Sequence, residues 1–398
     1  MRNYFEFVSS AKIKCGEGAA QTLGSELLSY GVCRPLVILS IEVVRSGIAG
    51  RAIASVNEGK KGSAVIFDGV PKNLSVDIVR EMKQIYEREN CDSVVAIGGA
   101  SVIDSAKLLK LLLSENSEDI SSVAGIKAKR YGLIPSFFLP TEICGGAESD
   151  GMIEESDAFI SSPEMVPNAI FIDKEIAEKK PLRAAAEGAV YALANAIEAY
   201  LGASEDDVTE IYAEKSVKLI DKYAKRASER ASDGEAATGV ALASALSGVA
   251  YGNVPFGAAH ALAEAIHDVT GESKAEAMTH VLVGALRCLR GPSAERFEGL
   301  MERYFNFISK DQSDESSEVS GEESAEAPKT DSAAVGKVAR FIEELTDAAG
   351  VTGSLSATDI PRESFGAIAE TAQGKRAAAT SAGTYSKDDF LEILNAAY

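Results

Sequence analysis

The chain has no tryptophan and only three histidines in 398 residues. Three imidazoles (His260, His267 and His280) leave little room for a histidine-rich metal centre. The five cysteines, Cys15, Cys33, Cys91, Cys144 and Cys288, stand singly with no Cys-x-x-Cys pair, which excludes a disulfide framework and a thiolate zinc site. Positive charge is short: 40 Lys and Arg against 60 Asp and Glu give a net charge of −20, a surface that repels nucleic acid and anionic membrane. A small-molecule ligand is the partner that remains. No apolar run approaches the roughly 20 residues that span a bilayer, and the first residues have no signal-peptide core, so a cytoplasmic protein is expected. What the chain does have is 46% hydrophobic residues and a length suited to two domains.

Up to residue 180, short β-branched runs alternate with helical patterns. Leu36–Ile41, Ala64–Phe67, Ser93–Ile97 and Gly132–Leu139 are expected strands, and such alternation builds parallel βαβ units. From Pro181 onward alanine-rich stretches with helical spacing take over, including Arg183–Leu201, Glu235–Val249 and Ala258–His267. The expected division is an α/β nucleotide-binding domain over 1–180 and an all-helical domain over 181–398. Residues 309–333 are crowded with Ser, Glu and Asp, and read as a disordered acidic insertion.

Gly98 and Gly99 directly follow the Ser93–Ile97 run and precede a helical pattern through Lys107. Two glycines at a strand-to-helix turn let the backbone approach a diphosphate, and the first amides of the helix point at the anion. Ser101 is expected to cap this helix, with Asp104 closing a Ser-x-x-Asp capping box.

Six segments in order resemble the iron-dependent (group III) alcohol dehydrogenase family: IGGASVIDSAK, LPTEICGGAESD, ISSPEMVPNAIFIDKE, ANAIEAYLG, GAAHALAEAIH and SKDDFLEILNAAY. The resemblance spans nearly the whole chain. It implies a Rossmann-like parallel-sheet domain followed by an all-α domain, the fold shared with dehydroquinate synthase, and a homodimer as a fair expectation. It also implies NAD or NADP held by Gly98, Gly99, Ser101, Asp104, Thr141 and Ser40. Ser40 stands where the family has an acidic residue that reads the adenosine ribose, so both cofactors remain open. A lysine that the family keeps near the ribose falls on Asp157, and Glu142-Ile143-Cys144 puts larger side chains where the family has small polar ones, expected to narrow the nicotinamide pocket.

The family's metal ligands are an Asp and a His four apart on one helix, then two more histidines. By resemblance they fall on Tyr191, Asn195, His260 and Lys274, or on Ala275 if the register slips by one. One ligand in four survives, so no family-type iron or zinc is expected. His267 and His280 are expected to be satisfied structural histidines, and Glu264 with His260 offers at most a weak site. Three functions are weighed. The first is an NAD(P)-dependent oxidoreductase of alcohols and aldehydes with a degenerate metal site. There Tyr191 donates the proton, Lys274 polarises the carbonyl, and Asn195 and His260 orient or relay. The second is an inactive nucleotide-binding or regulatory homologue. The third is a conventional metal-dependent alcohol dehydrogenase whose ligands lie elsewhere.

Overall fold

A computed structural model describes residues 5–58, 64–117, 134–155, 158–202, 206–254, 257–307, 332–375 and 385–398. The acidic stretch 309–331 and Asp157 lie outside the described residues.

Six strands form one parallel sheet: β1 (Lys12–Gly16), β2 (Pro35–Ser40), β3 (Val65–Val70), β4 (Ser93–Gly98), β5 (Ser136–Pro140) and β8 (Ala169–Asp173), in the order β1-β8-β5-β4-β2-β3. An antiparallel hairpin, β6 (Met152–Glu155) with β7 (Ala158–Ser161), stands apart. The expected strands became β2, β3, β4 and β5, whereas β1 and β8 carry the sheet beyond them. Each inner strand alternates its two faces with period 2. Leu36, Ile38, Ala96 and Phe138 pack towards α4 (Val76–Arg88) and α5 (Ala100–Ser114). Val37, Leu39, Val95, Ile97, Phe137 and Leu139 pack on the other face, where α1 (Leu23–Ser29), α2 (Ile41–Ser46) and α3 (Gly50–Asn57) lie. Both faces are covered, and that is why these strands read as unbroken apolar runs. Burying side chains such as Phe137 and Phe138, each 0% exposed, contributes about 1.5–3 kcal/mol apiece.

After the short α6 (Lys174–Ala177), the chain is helical: α7 (Leu182–Gly202), α8 (Asp207–Glu229), α9 (Gly234–Tyr251), α10 (Ala258–Thr270), α11 (Lys274–Arg287), α12 (Pro292–Tyr304), α13 (Ala333–Ala349), α14 (Phe365–Gly374) and α15 (Lys387–Ala397). Alanine allows α7 and α9 to be buried almost all round, in one cluster that also takes in α8, α10 and α11. On α9, Ala241 and Ala245 pack against Ile170 and Ile172 of β8, joining the helices to the sheet. The loop after β5 reaches α9 by glycine contact. Gly146 has φ +89, and a Cβ there would lie 2.5 Å from the Gly248 Cα, so only glycine at both positions permits this approach.

Candidate functional site

The carboxyl ends of β2, β4 and β5 open into a cleft of about 1270 Å³, closed on its far side by α7, α10 and α11. Parallel sheets bind ligands at this end, where neighbouring strands diverge. Ser40 ends β2 and caps α2, its Oγ accepting from the Val43 N–H at 3.4 Å. Gly98 ends β4, and the N–H of Thr141 donates to its carbonyl at 3.0 Å. A Cβ on Gly98 would sit 2.5 Å from Val102, so glycine lets α5 start immediately.

The expected capping box is absent. The N-cap of α5 is Gly99, with no side-chain cap, and Ser101 instead donates to the Pro71 carbonyl at 2.8 Å. The helix starts two residues earlier than a Ser101 cap requires, which places Ser101 inside it. Asp104 faces Lys107, whose Nζ lies 3.2 Å from its carboxylate, 2.6 Å from Asp150 and 3.1 Å from the Met152 carbonyl. Lys107 is fully buried; burial alone would lower its pKa, but Asp150 and Asp104 outweigh it and hold the ammonium above its ordinary value. Asp104 therefore belongs to a buried ionic network at the edge of the cleft, a role the sequence pattern did not suggest. Gly99, Ser101, Asp104, Thr141 and Ser40 all line the same cleft.

Glu142, Ile143 and Cys144 take separate directions. A Cβ on Gly99 would lie 2.5 Å from the Glu142 carboxylate, so this side chain crowds the glycine turn, and Glu142, Ile143 and Cys144 all line the cleft. Ile143 packs on Gly188 of α7, and Cys144 is buried near the Gly98 carbonyl. Beside them Lys180 is 5% exposed, and burial lowers its pKa against the opposing pull of Cys144, Glu148 and Glu142.

On the helical wall, Tyr191 and Asn195 lie one turn apart on α7, and both meet His260 from α10. The Asn195 amide nitrogen donates to the Gly145 carbonyl at 2.6 Å, which turns its oxygen towards His260 Nε2, also at 2.6 Å. His260 Nδ1 faces Glu198 at 2.5 Å, and the same carboxylate accepts from the N–H groups of Gly257 and Ala259 at the start of α10. Tyr191 meets the His260 ring edge-on at 5.1 Å, and Tyr251 stacks on it at 4.3 Å. Both ring nitrogens are thus engaged by protein oxygens. Glu198 was missed by the sequence reading, although its position three residues after Asn195 puts it on the same helix face. Lys274 begins α11 and pairs with Glu264 at 2.5 Å, which takes Glu264 away from any site with His260. His267 is satisfied by the Glu272 carbonyl at 2.6 Å, but His280 is not: it is 2% exposed and neither ring nitrogen has a hydrogen-bond partner. Its Nε2 stands 3.4 Å from Glu272 Oε1 without hydrogen-bond geometry, so the expected satisfied histidine has a carboxylate neighbour but no hydrogen bond.

Among the described residues, no helix is long and apolar enough to cross a membrane. The chain is similar to choline dehydrogenase of Bacillus subtilis, 29% identical over 274 residues, covering 67% of this chain and 68% of that one. It is similar to the NAD-dependent methanol dehydrogenase of Bacillus methanolicus, 27% identical over 280 residues, 69% and 71% of the two chains. In fold it resembles the alcohol dehydrogenase from Oenococcus oeni with a TM-score of 0.83 at 21% identity, covering 99% of this chain and 100% of the other. Residues 10–174 match the iron-containing alcohol dehydrogenase family and residues 185–398 match that family's C-terminal part. Together the two matches span most of the chain, which belongs to the iron-containing alcohol dehydrogenase family.

Proposed function

We propose that this chain transfers hydride between NAD or NADP and a small alcohol–aldehyde pair, without a metal at the family's ligand positions. The cofactor half rests on the Gly98–Gly99 turn, whose helix starts with uncapped amides at the cleft. Nicotinamide dependence in relatives such as the methanol dehydrogenase supports the same reading. At the end of β2 the neutral Ser40 offers no carboxylate against a 2′-phosphate, so use of both cofactors is expected.

The four metal positions offer a phenol, an amide, an imidazole with both nitrogens engaged, and an ammonium paired with Glu264. A divalent iron or zinc ion needs about three or four lone-pair donors held together, and an ammonium has none. The donor set does not suit that ion, so no step is routed through it. Reduction of an aldehyde needs a hydride at carbon and a proton at oxygen. Tyr191 supplies the proton from a neutral phenol, and the Lys274 ammonium on the same wall favours the phenolate left behind. Asn195, His260 and Glu198 form a hydrogen-bonded brace that fixes the ring edge against which Tyr191 rests.

The observation that carries this reading is that Tyr191, Asn195, His260 and Lys274 line one cleft with Gly99 and Thr141. The test is steady-state reduction of an aldehyde panel with NADH and NADPH by wild type, Tyr191→Phe and His260→Gln. Tyr191→Phe should lower kcat by about 10²–10⁴, the range of a lost general acid. Turnover that requires added iron, fails in His260→Gln and is indifferent to Tyr191→Phe would assign ordinary metal-dependent chemistry instead.

A further inference from the structure

A second group of side chains lies on the same wall, further along α11. Glu272 precedes the Ser273 cap of that helix, and Glu276 and His280 follow at steps of four, so all three share one face. One donor atom from each lies within 4.8 Å of the other two. His280 is 2% exposed, and neither its Nδ1 nor its Nε2 has a hydrogen-bond partner; Glu272 Oε2 is likewise buried and unpartnered. His280 Nε2 stands 3.4 Å from Glu272 Oε1. That is long for a hydrogen bond, but two ligands bonded at about 2.1 Å to one tetrahedral ion lie about 3.4 Å apart.

We propose that Glu272, Glu276 and His280 bind one divalent transition cation of the zinc or manganese kind, displaced along α11 from the family's position at Lys274. The surroundings are built for it. Arg183 pairs with Glu276 Oε1 and with Glu187 Oε1, each at 2.6 Å, which orients the Glu276 carboxylate from outside. Glu187 and Glu276 share that single guanidinium while Glu272 faces His280, and the two negative charges left over among the three carboxylates match a divalent ion. The Glu272 backbone is fixed as well: its carbonyl accepts from His267 Nδ1 and its N–H donates to Thr270 Oγ1 at 3.2 Å. Mixed carboxylate and imidazole donors select first-row divalent ions over calcium or magnesium. Glu272 and Glu276 line the cleft, which gives the ion a path in. None of this depends on the roles given to Tyr191 and Lys274.

The test is titration of the full-length, chelator-stripped protein with Co²⁺, followed by its visible d–d absorption, with Zn²⁺ as competitor. One Co²⁺ per chain in a low-symmetry, four- or five-coordinate environment is expected, displaced stoichiometrically by Zn²⁺. His280→Ala and Glu276→Gln should weaken binding at least tenfold, and the near-isosteric Glu272→Gln should do so without disturbing the packed core. His260→Gln should leave the spectrum unchanged. Absence of the band at millimolar Co²⁺, or a band that survives Glu272→Gln and disappears with His260→Gln, would overturn the site. Because the readout is a spectrum, it fails or succeeds independently of the Tyr191→Phe rate.

Discussion

At the scale of single residues, Glu142 is the departure with the most direct consequence. Its carboxylate lies against Gly99, beside the uncapped amides of α5 that a diphosphate would use. Two like charges about 5 Å apart in a half-solvated cleft repel by roughly 1–3 kcal/mol. Glu142→Thr should therefore tighten NAD(P)H binding by about tenfold, which corresponds to 1.4 kcal/mol. Fluorescence titration of NADH and NADPH checks this, and an unchanged Kd would mean that the dinucleotide passes clear of the carboxylate. The sequence shows that a glutamate replaces a small residue here, but side-chain direction in a turn follows no period, so its pressure on Gly99 was not legible. Tyr191, Asn195 and His260 were legible as a group because the helical step of four and the family segments place them. Their brace, Glu198, was not, because it also serves as the cap of α10 and reads like any helix-surface glutamate.

At the scale of elements, the loop after β5 is tied to α9 through Glu148. Ser244 donates to Glu148 Oε1 at 2.9 Å, while Oε2 is buried without a hydrogen-bond partner. Burial pushes this carboxyl up to about 7 from an ordinary 4.5. The folded state then holds a proton between those values that the unfolded chain has lost. The stabilisation is full below the unfolded value and is lost as pH rises through about 7, at most about 3 kcal/mol. Glu148→Gln keeps the shape and removes the titration. Urea unfolding at pH 5 and pH 8 should show a steeper loss of stability in wild type than in the variant; equal slopes would mean that Glu148 stays ionised when folded. The element pattern itself was uneven in legibility. The inner strands β2, β4 and β5 announce themselves because both of their faces are apolar. β1, with the sequence Lys-Ile-Lys-Cys-Gly, lies at the sheet edge, where only one neighbour, β8, hides it. Lys12 and Lys14 there pair with Glu26 of α1, a contact that a local pattern cannot reveal.

At the scale of the whole molecule, a net charge of −20 surrounds a cleft that is proposed to take an anionic cofactor. The cleft wall counters it locally with Lys72, Lys179, Lys180, Arg183, Lys274 and Lys375, but Arg183, Lys274 and Lys375 already face carboxylates. Long-range repulsion should therefore govern encounter. Raising ionic strength from about 0.01 to about 0.15 M shrinks the screening length from roughly 30 to 8 Å. KM for the dinucleotide should fall over that range, and more for NADP(H) than for NAD(H), because the 2′-phosphate adds charge. KM for a neutral aldehyde should hardly move. The Glu142→Thr variant separates the two scales: if its salt dependence matches wild type, the whole surface sets the effect, whereas a flat profile would trace it to that one carboxylate. A KM that rises with salt in both proteins would instead place control with the cleft cations, and the acidic surface would then have no part in selecting the cofactor.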